Sequence, residues 1–130
     1  MITIKPATAI RATQAFALLR GAIGLTALVA PAALAATWIG EEANRSGSEV
    51  LSRAMGGRDI ALAAGILLSI RHDAKVRGWV EAAGMADFID LLTTLVSFNK
   101  LPKKSRWAIL GMAGAGIAAS RILSQVVDSQ

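Results

Sequence analysis

Five charged residues lie inside otherwise apolar stretches of this chain: Arg20, Arg58, Asp59, Asp87 and Asp90. A soluble protein moves such groups to its wet surface. A membrane protein keeps them where they pair across helices or line a cavity, so each is a candidate functional residue. Grouped carboxylates and guanidiniums can neutralise one another and fix helix register, relay protons, or hold a small polar ligand. The mixture of acids and arginines favours neutralisation, because an aspartate locked to an arginine is already ionised and carries protons poorly at neutral pH.

Pairing is close to compulsory. A lone charge at the centre of a membrane helix costs about 2.5–3.5 kcal/mol, so five unpaired charges would cost on the order of 12–17 kcal/mol. That exceeds the margin of an ordinary fold. Arg58 is expected to meet Asp87 or Asp90 across helices, bidentately where geometry allows. Arg20 is expected to take another carboxylate or to reach the interface along its aliphatic stem.

Helical spacing brings these residues onto common faces. Asp87, Asp90, Thr94 and Ser97 form one stripe, following the three-and-four spacing of a helix face. Arg58, Leu62, Gly65 and Ser69 form another, beside Ser52, Gly56, Asp59 and Ala63; Thr13, Ala17, Arg20, Gly24 and Ala27 line up earlier in the chain. Small residues recur four apart at Gly111, Ala115 and Ala119, and at Gly116, Ser120 and Ser124. Such rows let helix backbones approach closely, within a bundle or against another protein. Gly24, Gly65, Gly111, Ala115, Gly116 and Ser120 are the candidate packing positions.

The elements that must carry these faces are four helices, over about 7–38, 49–71, 79–98 and 105–127, in one domain spanning 1–130. The predicted fold is all-α, a four-helix transmembrane bundle. Gly21 to Gly40 has no charge, and about twenty helical residues reach about 30 Å, the thickness of a bilayer core. Pro31 is expected to kink that helix or end it early. Ser48 is a candidate cap for the second helix, with Glu49 in its first turn. The uncharged part of that helix, Ile60 to Ile70, covers only about 16 Å. It spans only if Arg58 and Asp59 lie inside the membrane and are compensated. Asn99 to Lys104, with Pro102, ends the third helix.

Lys5, Arg11 and Arg20, the apolar run and Ala33-Leu34-Ala35 also fit a secretory signal with a cleavage site. The positive region is unusually long for one, so a retained first span is expected. Basic residues divide evenly between the two ends of the predicted bundle, so the positive-inside rule does not orient it. The acidic Glu41 and Glu42 tip the reading toward cytoplasmic termini in a bacterial inner (cytoplasmic) membrane.

Composition agrees with a membrane setting. The chain has 130 residues, 54% hydrophobic and 18% charged, with 12 Gly, and a mean hydropathy of +0.51. Its net charge of +5 comes from short clusters such as Lys100, Lys103, Lys104 and Arg106, suited to anionic headgroups. They form no continuous basic face, which argues against nucleic acid. With no Cys and one His, His72 in a charged turn, neither a metal set nor a thiol nucleophile is available. Gly56-Gly57 precedes Arg-Asp, not a phosphate-binding Lys-Ser/Thr. No catalytic residue, metal or cofactor is predicted.

The run Arg53-Ala54-Met55-Gly56-Gly57-Arg58-Asp59, continuing to Gly65, resembles the Arg-x-x-Gly-x-Arg-Asp element that opens the second helix of a family of small bacterial four-helix membrane proteins of unknown function. Arg20-Gly21-Ala22-Ile23-Gly24 with Pro31 approximates the start of that family's first helix, and Asp87 with Asp90 fits its third. The resemblance implies a four-helix membrane fold and carries no activity, substrate or cofactor.

The leading expectation is a non-enzymatic accessory or structural subunit of a larger membrane assembly, with lipid and other membrane-protein subunits, or a second copy, as partners. The alternative is a small-molecule-binding or proton-handling membrane protein using the Arg/Asp seam. It requires a polar cavity and a carboxylate without an arginine. A soluble helical bundle with a membrane- or partner-facing surface is the third reading, and an enzyme the last.

Overall fold

The computed structural model describes residues 4–128; the ends of the predicted domain, residues 1–3 and 129–130, lie outside them. Among the described residues the protein is all-α, with five α-helices and no strand. They are α1 (Pro6–Val29), α2 (Pro31–Ile39), α3 (Ser46–Arg71), α4 (Arg77–Val96) and α5 (Lys103–Val126). Two of them, α1 and α5, are long and apolar enough to cross a membrane by length and composition, rather than four. α3 and α4 fall short because Arg53, Arg58 and Asp59, and Glu81, Asp87 and Asp90, interrupt their apolar runs.

The predicted first helix is two. Ala30 leaves the helical region at φ −136°, ψ 61°, and Pro31 starts α2 at its first position, where a missing N–H costs nothing. A tight turn over Gly40–Asn44 follows, and Arg45 is extended at φ −82°, ψ 141°. α3 therefore opens at Ser46, and Ser48 lies inside the helix rather than capping it. Gly40 sits at φ +65°, and Pro102 Cγ lies 2.9 Å from where a β-carbon would stand. Both facts call for glycine.

α1 and α3 run antiparallel and pack along their length. So do α4 and α5, and the two pairs meet far less closely. The α1 face that packs is Ala9, Thr13, Ala17, Arg20, Gly24 and Ala27, a helix stripe of small residues. Gly24 and Gly56 face each other where α1 crosses α3. A β-carbon on either would lie 2.6 Å from the other's carbonyl oxygen. Toward the other end, Ala17, Ala63, Ile66, Val76, Val80, Leu123 and Val127 form the apolar core.

Asp128 closes that end. Its carboxylate accepts from Val76 N at 3.1 Å and Arg77 N at 3.0 Å. These donors open α4, which has no side-chain cap of its own. Arg77 also donates to Glu81 at 2.7 Å.

Candidate functional site

The five charges meet halfway along α3 and α4. Arg20 from α1 donates Nη1 to Asp59 Oδ1 at 3.0 Å and Nη2 to Asp87 Oδ2 at 2.5 Å. Arg58 from α3 donates Nη1 and Nη2 to the two oxygens of Asp90, at 3.0 and 2.9 Å, and Nε to Asp59 Oδ1 at 3.1 Å. Bidentate pairing of this kind fixes orientation as well as charge. Arg20 ties α1 to α3 and α4, and Arg58 ties α3 to α4.

Arg20 is the deepest member, its side chain 8% exposed, against 13% for Asp59 and Asp87 and 31% for Arg58. Its guanidinium carbon lies 5.4 Å from the Phe16 ring centroid, and its Nε is buried without a hydrogen-bond partner. Helix geometry explains why these groups reach one another. Arg20 shares the α1 packing face with Ala17 and Gly24, and the small residues there let α3 come close enough for Asp59 to be reached.

Gly116 supports the network from α5. A β-carbon there would run into the Asp87 carboxylate. One turn on, a β-carbon at Gly84 would meet Ser120 Oγ. Gly65 lies under the Trp79 ring, again with no room for a methyl. Of the predicted packing positions, Gly24, Gly65, Gly116 and Ser120 thus sit at close contacts. Gly111 does not: it is exposed, with nothing within 4 Å of a β-carbon. Ala115 is exposed too. The two small-residue rows of α5 point in different directions, and the row containing Gly116 and Ser120 is the one against α4.

Beside the network, between the α1–α3 and α4–α5 pairs, lies a cavity of about 610 Å³. All five charged residues reach its wall. The rest is mostly apolar, with Trp38, Met55 and Met112 among the larger side chains. Trp38 is fixed by its Nε1 donating to Thr94 Oγ1 at 3.1 Å, and that hydroxyl donates to the Asp90 carbonyl at 2.7 Å.

Each of the three aspartates has an arginine partner, so the carboxylate without one that a proton-handling role requires is not found. The cavity that a binding role requires is present. Sequence reasoning put Gly56 on the Asp59 stripe without making it a packing position, and it did not single out Gly84 or Asp128. Gly56 and Gly84 each stand three residues before a network aspartate, a signal that was available. Asp128 carries no local sign that it closes a helix 51 residues away. Among the described residues no group of three or more His, Cys, Asp or Glu is placed to hold a metal ion.

Compared with known proteins, the chain matches no family model, no curated protein and no solved structure.

Proposed function

We propose that this chain is a multi-pass protein of the bacterial inner membrane, crossing it with α1, α3, α4 and α5 as a four-helix bundle. One observation carries the reading: polarity is inverted. Arg20 is buried and Asp59 and Asp87 are half-buried at mid-height, while Val96 is 88%, Val29 74% and Leu19 64% exposed. Lipid accommodates that outer surface, and mutual pairing accommodates the charges. The likeness of Arg53–Gly65 to small bacterial four-helix membrane proteins of unknown function belongs to the same proposal, as do cytoplasmic termini. Alkaline carbonate extraction tests it: the protein stays with the membrane pellet, and release into the supernatant overturns the reading.

Within that setting the protein works without catalysis, as an accessory or structural subunit. The exposed α5 face carrying Gly111, flanked by Trp107, offers a smooth surface for a neighbouring helix. Gly111→Cys in native membranes is expected to cross-link to another chain or a second copy. A lone monodisperse monomer after mild detergent extraction, with no cross-link, overturns the role.

The cavity favours a second reading, in which the protein binds a small amphipathic molecule. A volume of about 610 Å³ falls in the range of small-molecule sites, about 300–1,000 Å³. An apolar wall with a few convergent polar groups is the usual composition of such sites.

A further inference from the structure

We infer that the cavity between the two helix pairs takes a lipophilic monovalent cation, and that a proton competes with it. The inference rests on the binding reading above and names the ligand's charge. Three carboxylates share two guanidiniums, so pairing is complete in geometry and incomplete in charge. With all five groups ionised the network carries one negative charge in a poorly polarisable setting, where an uncompensated charge is costly.

The free valences point the same way. Arg58 directs Nε, Nη1 and Nη2 to carboxylate oxygens. Arg20 directs Nη1 to Asp59, and Nη2 to Asp87 and to the Ala83 carbonyl at 3.4 Å. Its Nε is buried without a partner. Each guanidinium is thus held by two carboxylates already in place, which an entering anion meets as like charges. The carboxylates keep accepting capacity. Both arginines converge on Oδ1 of Asp59, and Arg20 takes Oδ2 of Asp87, leaving the second oxygen of each without a guanidinium.

The rest of the wall selects lipophilicity. Leu19, Leu51 and Met112 belong both to the cavity lining and to the exposed apolar surface, so the approach is greasy. Trp38 offers an aromatic face, which attracts a desolvated cation. The charged groups facing Asp87 are Arg20 from α1, Asp59 from α3 and Asp90 on its own helix; from α5 the close neighbour is the uncharged Gly116. Protonating one carboxyl neutralises the network and removes the attraction. Affinity therefore falls as pH is lowered.

The experiment compares tetraphenylphosphonium with tetraphenylborate, nearly the same shape with opposite charge, on the full chain in nanodiscs. Empty nanodiscs measure partition into lipid. Saturable tetraphenylphosphonium binding that weakens on acidification, with no saturable tetraphenylborate binding, is expected. Asp87→Asn is expected to weaken the cation by roughly tenfold or more, through loss of one nearby charge. Ala115→Phe, which fills the wall and leaves the charges alone, is expected to abolish binding and covers the case in which Asp87→Asn fails to fold. Saturable tetraphenylborate binding overturns the inference and leaves the binding reading standing. If neither probe binds above empty nanodiscs, both fail.

Discussion

Arg58 holds Asp90 by two parallel hydrogen bonds, Nη1 to Oδ1 at 3.0 Å and Nη2 to Oδ2 at 2.9 Å. The pair links α3 to α4, and its third donor reaches Asp59. Neutralising one partner alone strands the other. Asp90→Asn or Arg58→Met should each destabilise the protein by about 3 kcal/mol, the lower end for a broken buried pair because Arg58 is partly exposed. The double variant should recover much of that loss. Unfolding in mixed micelles, analysed as a double-mutant cycle, measures the coupling; additive losses would show that the contact is energetically idle.

The crossing of α1 and α3 is a backbone-to-backbone contact. Neither Gly24 nor Gly56 can accept a methyl unless the helices separate, since the obstacle is a carbonyl oxygen on the facing helix. Gly56→Ala is expected to cost about 1–3 kcal/mol, the range for overpacking. Its neighbour Gly57 has open space around it, and Gly57→Ala should stabilise α3 by up to about 1 kcal/mol through helix propensity. Thermal unfolding of the two variants, one residue apart, should show shifts of opposite sign.

On α5 the contrast is between Gly116 and Gly111. Gly116→Ala presses on Asp87 and should cost about 1–3 kcal/mol as the carboxylate leaves Arg20. Gly111→Ala should stabilise the isolated protein by up to about 1 kcal/mol, as at Gly57, and should weaken co-purification of any partner helix. Equal effects of the two on unfolding would mean that the wrong row has been placed against α4.

Asp128 receives the first two amides offered at the start of α4. Asp128→Ala leaves both without a partner and should cost about 1 kcal/mol, as lost caps do. Hydrogen exchange at Val76 and Arg77 is the sharper measurement: both amides should lose protection while those in the middle of α4 keep theirs.

Much of this arrangement is legible in the sequence. The stripe Thr13, Ala17, Arg20, Gly24, Ala27 is the buried face of α1, readable because small and polar residues keep helical spacing while large apolar ones fall outside it. Arg58 was expected on Asp87 or Asp90 and is found on Asp90. Which arginine takes which acid depends on tenths of an ångström in helix height, which spacing along one helix does not encode. Pro31 marks a discontinuity but leaves kink and break open, and the backbone of Ala30 decides for a break. The two small-residue rows of α5 are equally good on paper, and only the partner helix selects one. The cavity has no local signature, because space left between helices belongs to no single segment.

The uneven packing of the four long helices has a mechanical consequence. α1 with α3 and α4 with α5 are two stiff jaws, joined in the chain by the short link between Arg71 and Arg77. At one end the core of Ala17, Ala63, Ile66, Val76, Val80, Leu123 and Val127 fastens one jaw to the other, and beside the cavity the ionic clasp at mid-height sets their spacing. A change in the ionisation of that clasp will register first as a change in how far the jaws stand apart, with each jaw moving whole.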